Sequence, residues 1–145
     1  MPSPQDELDD VLLAEIRELC AIGDRYANEG DYAQALTEYN LAWRMIPEPK
    51  NNWEASTWIL GAIADASFLS GNDGPVIAAL EYAMTCPGGL GNPFLHLRLG
   101  QSLYRAGKTD WAANELMRAY MGAGEEIFSL EDPKYLEFLK TRAKL

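Results

Sequence analysis

Leu8, Leu12, Ile16 and Leu19 recur at spacings of three and four, which is the stripe of an amphipathic helix. The pattern runs to about Glu29, where Gly30-Asp31 predicts a turn. Upstream, Ser3-Pro4 offers a cap with proline in the first helical position, and Asp6 and Glu7 fall in the first turn. This stretch either extends the first helix or forms a separate N-terminal cap. A second helix is predicted over 32–46, with Leu36, Tyr39 and Trp43 as its inner stripe, and Pro47-Glu48-Pro49 ends it. Asn51 with Glu54 three residues on reads as a capping box before the apolar run Trp53 to Leu69. Gly71-Asn72-Asp73-Gly74 predicts a turn, followed by a helix with Val76, Leu80 and Ala83 on one face. Cys86-Pro87-Gly88-Gly89-Leu90-Gly91 breaks the chain, and Asn92-Pro93 restarts it. Asp132-Pro133 then starts a last helix over about 133–144, bearing Tyr135, Leu136, Phe138 and Leu139.

Within this pattern Leu19, Ile22-Gly23, Tyr26, Gly30, Ala35, Tyr39, Ala42 and Pro47 form a motif that resembles a tetratricopeptide repeat in both residue type and spacing. Leu99-Gly100, Leu103, Gly107, Ala112, Leu116 and Ala119 resemble it again, and Val76, Leu80 and Ala83 keep a degenerate register between them. The turn glycines Gly30, Gly71 and Gly107 stand 41 and 36 residues apart. Against the family period of about 34, the extra residues fall on 49–56 and 90–92. The resemblance implies an all-α fold, an α-solenoid of three helix-turn-helix repeats at about 16–49, 57–90 and 93–126. An N-terminal helical extension and a C-terminal capping helix complete a single domain over 1–145. Gly23, Ala35 and Ala42, like Gly100, Ala112 and Ala119, are then packing positions rather than sites.

In that family the first helix of each repeat lines a binding groove. By register the resemblance assigns partner contacts to Arg17, Asp24 and Asn28, to Trp58, Asp65 and Phe68, and to Phe94, Gln101, Tyr104 and Arg105. The set places two carboxylates with Trp58, Phe68, Phe94 and Tyr104, and aromatic anchors of this kind dominate binding energy. Family members that clamp a C-terminal carboxylate use Lys, Asn and Arg in this groove. Cys20 and Asp24 stand where such a clamp has other residues, which argues against a chaperone-tail clamp.

Charge sharpens the choice of partner. The net charge is −10, which argues against nucleic acid and favours a basic protein. Residues 1–50 hold 11 acids and 4 bases, whereas 101–145 hold 7 of each. Asp6, Glu7, Asp9 and Asp10 read as a solvated helix start. Hydrophobic residues make up 48% of the chain, enough for a real core. Two cysteines, Cys20 and Cys86, read as small buried residues of a reducing cytoplasm. No leader pattern and no apolar run of about 20 residues is visible, so a membrane partner is not expected.

No catalytic chemistry stands out. His96 is the one histidine and occupies a packing register, so neither a metal site nor a Ser-His-Asp arrangement can be built on it. Gly88-Gly89-Leu90-Gly91 lacks the lysine and the preceding strand of a phosphate loop and reads as a flexible turn. No cofactor, metal or small-molecule substrate is expected, and the chain reads as a binding protein and not an enzyme. Three further stretches, 53–59, 86–94 and 120–128, resemble small bacterial tetratricopeptide proteins that accompany polymorphic toxins, including Rhs-type toxins. That resemblance implies a cognate immunity protein that binds a basic toxin domain in the cytoplasm. The alternative is a general adaptor or co-chaperone that grips an extended peptide.

Overall fold

A computed structural model describes residues 8–145. The cap expected at Ser3-Pro4 and the acids Asp6 and Glu7 lie outside the described residues. Among these, the chain is all-helical, with seven α-helices and no strand. The helices are α1 (Asp10–Asn28), α2 (Tyr32–Met45), α3 (Glu54–Leu69), α4 (Asp73–Ala83), α5 (Pro93–Arg105), α6 (Thr109–Ala123) and α7 (Pro133–Arg142). Two compact units follow one another, the first ending at Leu90 and the second spanning Gly91–Leu145.

In the first unit α1 packs on α2, α2 on α3, and α3 on α4. Asp9 caps α1, its side chain accepting from the Val11 amide at 3.0 Å. Gly30 closes the turn to α2 at φ 80°, a left-handed conformation that a side chain would strain. Gly23 lies against Tyr39, while Ile16 shares a cluster with Ala42 and Ile46, so α1 and α2 run antiparallel. The contact line of α2 passes through Ala35, Tyr39 and Ala42, all buried. Leu36 and Trp43, expected on the inner stripe, sit half-buried on its flanks. Gly23, Ala35 and Ala42 let the helices close around one large side chain, Tyr39, and leave Leu36 and Trp43 at the rim.

Two further expectations are corrected. Asn51 does not cap α3; it lies in a 3-10 turn, Lys50–Asn52, and the residue before α3 is Trp53, with no side-chain cap. The segment is pinned otherwise. The Trp53 indole donates to the Pro47 carbonyl at 2.8 Å, Ser56 Oγ to the Lys50 carbonyl at 2.5 Å, and Lys50 Nζ to the Trp43 and Ile46 carbonyls at 2.8 Å each. The second turn is also shorter than predicted, because Asp73 and Gly74 already belong to α4.

The glycine-rich break is a turn, as expected, and it is anchored to the helices beside it. Gly89 is buried with its Cα against the Ala83 carbonyl, where a Cβ would overlap backbone. Thr57 Oγ1 also donates to the Pro87 carbonyl at 2.6 Å.

In the second unit α5 packs on α6 and α6 on α7, with a 3-10 turn, Glu125–Phe128, against all three. Asn92 caps α5 as expected, accepting from the Phe94 and Leu95 amides at 3.0 and 3.3 Å with Pro93 at the first helical turn. Asp132 does the same for α7. Gly100 faces Leu116, whose Cδ2 would stand 2.8 Å from an added Cβ. Every residue from Leu95 to Leu103 is buried, and this leaves α5 little surface for a partner.

Candidate functional site

Helical geometry decides which of the assigned residues share a face. At about 100° per residue, positions seven and eleven apart return to within about 20° of the start. Arg17, Asp24 and Asn28 therefore lie along one line of α1, and all three are exposed. Trp58 and Asp65 lie along one line of α3. Phe68, ten residues after Trp58, is turned about 80° away, and it is buried rather than offered to a partner.

The first unit brings five of the assigned residues to two hollows. In the first hollow, of about 270 Å³, the Arg17 guanidinium lies over the Trp58 ring, 5.5 Å from its centroid. Asp10, Leu13 and Glu54 line the same space. Trp58 remains 39% exposed, enough surface to serve as an anchor. The second hollow, of about 280 Å³, is lined by Asp24, Asn28 and Asp65 over Tyr39 and Leu69.

Asp24 has a task inside the fold as well. The Tyr39 hydroxyl donates to its Oδ1 at 2.6 Å. Burial, then the bond to Asp24, pushes the Tyr39 phenol well above its ordinary range. Burial, followed by the Asp24 charge, likewise raises the Cys20 thiol from 9.0 to about 11. A thiol held protonated in this way is a poor nucleophile. Cys20 and Cys86 are both free.

The second unit uses its assigned residues differently. Gln101 is fully buried, so it is corrected from a partner contact to an internal one. Its carbonyl accepts from Arg98 at 2.7 Å and its amide donates to Glu131 at 2.7 Å, while Arg98 and Glu131 also pair directly. The loop before α7 thus lays a carboxylate on this part of α5. Tyr104 is half-buried against Tyr135 and Phe138 of α7, with ring centroids 5.7 and 4.9 Å away. Phe94 stays exposed with the Arg98 guanidinium 5.0 Å from its ring centre, and Arg105 is exposed at the end of α5.

His96 is 1% exposed, in the structural place its register implied. The Gly91 amide donates to its Nε2 at 2.9 Å, which leaves the proton on Nδ1, donated to Glu115 at 2.5 Å. Neither Glu115 nor Glu131 was expected as a partner. The one available signal was Glu115 itself, a carboxylate three residues after Ala112 and four before Ala119 on the packed side of α6.

Among the described residues no three carboxylates, thiols or imidazoles gather closely enough to hold a metal ion. No described helix is long and apolar enough to cross a membrane. Comparison with family models and with curated proteins gives no match for this chain.

Proposed function

We propose that the protein is a non-catalytic binding module of three tetratricopeptide repeats, capped by α7, and that it is the immunity protein of a bacterial polymorphic toxin. In this reading the exposed face of α1 and α3 holds a basic toxin domain in the cytoplasm and blocks it. One observation carries the reading: Trp58 and three polar residues, Asp24, Asn28 and Asp65, line two hollows on a strongly acidic unit. Residues 1–90 carry 15 acidic and 4 basic side chains. Acidic groups steer a basic partner into contact, and a buried aromatic slows its release. The pairing of α1 with α2, α3 with α4 and α5 with α6 supports the repeat assignment.

The test is an affinity pull-down of the tagged protein from its native cytosol, followed by protection assays with Trp58→Ala and Asp65→Lys. A single stoichiometric partner with a toxin-like domain, and loss of protection in both variants, is the expected result. Several weak partners that share a linear segment would replace immunity by the adaptor reading. Full protection by both variants would remove this face from the account.

A further inference from the structure

We propose that the hollow between the starts of α1 and α3 is a site for an arginine side chain of the partner, and that Arg17 is its stand-in in the free protein. The proposal rests on the binding reading above and gives the chemistry of one part of that surface.

The hollow holds the elements of guanidinium recognition. Trp58 supplies an aromatic face, and two acidic residues, Asp10 and Glu54, line the same hollow. A planar guanidinium stacks on an indole and reaches carboxylates in its own plane, which a compact ammonium does less well. The chain already places one such group there, because Arg17 sits over the ring. Arg17 is exposed, and among the described residues no ion pair ties it to Asp10 or Glu54. Among the described residues the Trp58 ring is the group that holds its guanidinium, and Arg17 yields to a cation that also meets the carboxylates.

Charge points to the same occupant. Arg17 is one of only 4 bases among residues 1–90, against 15 acids. Its removal both uncovers the ring and deepens the negative field around it. The consequence is opposite in sign to ordinary truncation at an interface. Arg17→Ala tightens binding of a basic ligand, whereas loss of a true contact residue weakens it.

The probe is a short peptide alternating arginine with glycine and serine, titrated at low salt into the isotope-labelled full chain. The Trp58 indole resonance is followed, with lysine and glutamate versions of the peptide as controls. The expected result is a saturable shift of that resonance by the arginine peptide, a weaker one with lysine and none with glutamate. Arg17→Ala binds about threefold to tenfold tighter. Glu54→Gln, an exposed change at the start of α3, binds more weakly without disturbing the core. An unmoved Trp58 indole in both wild type and Arg17→Ala overturns the proposal, as does weaker binding by Arg17→Ala. The two readings fail separately. If Asp65→Lys abolishes protection while Arg17→Ala leaves peptide affinity unchanged, the binding face stands and the arginine site falls. If Trp58→Ala and Asp65→Lys both protect fully, the functional reading falls and the titration still decides the site.

Discussion

A single hydrogen atom sets the distance between α1 and α2 at Gly23. A Cβ there would stand 2.5 Å from Tyr39 Cε1 and 2.8 Å from Cδ1. Gly23→Ala must therefore push the ring aside and with it the hydroxyl that Asp24 accepts. The expected loss is about 1–3 kcal/mol in urea denaturation; a loss under about 0.5 kcal/mol would show that the ring moves freely. The same cluster sets an alkaline limit. Burial and Asp24 raise the Cys20 thiol from 9.0 to about 11 and the Tyr39 phenol above its usual range. Both groups are neutral when protonated, and the fold holds the proton more tightly than the unfolded chain does. Their contribution is therefore complete below about pH 9 and is lost as pH climbs through 11 and beyond. Melting temperature should fall over that window. Asp24→Asn removes a raising charge from both groups, so its melting temperature should fall less steeply over the same range. A parallel fall in the two proteins would detach Asp24 from the effect.

At the scale of the helices, the ends test how local chemistry becomes structure. Asn92 accepts from two amides at the start of α5, so Asn92→Ala should cost about 1 kcal/mol. Asn51 makes no cap, and Asn51→Ala should stay within about 0.5 kcal/mol. Thermal denaturation of the pair decides this, and equal losses would restore the capping box. The contrast shows where sequence reading reaches. Asn92-Pro93 and Asp132-Pro133 are legible because both cap partners lie within three residues, and Gly30 because φ above zero is costly for any other residue. The Asn51–Glu54 spacing is equally local, yet Lys50, Trp53 and Ser56 bind carbonyls of the preceding segment and win. The residues assigned on α1 and α3 come from the register of the resemblance, and helical angle then says which of them share a line. Gln101 has the same angular claim as Asp65, but Glu131, thirty residues on, covers it. No spacing rule carries a contact that depends on where a later loop returns. His96 with Glu115 and Arg98 with Glu131 are hidden for that reason.

The net charge of −10 belongs to one part of the molecule. Residues 1–90 carry 15 acids and 4 bases, whereas residues 91–145 carry 7 and 8. In the second unit much of that charge is also engaged locally. Arg98 pairs with Glu131, Arg142 with Asp110 at 2.7 Å, and Lys140 approaches Glu125 at 3.7 Å. The long-range field that the proposed basic partner would meet therefore originates in the first unit. Fields of this kind act on encounter more than on residence, and salt screens them beyond about 8 Å at physiological ionic strength. Neutralising Asp10, Asp24 and Glu54 together should slow association with the captured partner about tenfold at low salt. Neutralising Glu125, Glu126 and Glu137 should change it less than about twofold. Stopped-flow measurements across a salt series separate the two sets. The first should converge on wild type as salt rises, because screening removes what the mutations removed. If both sets slow association equally, steering depends on net charge alone and the acidic unit has no privileged role. If neither does, the partner is drawn by the aromatic hollow and not by the field.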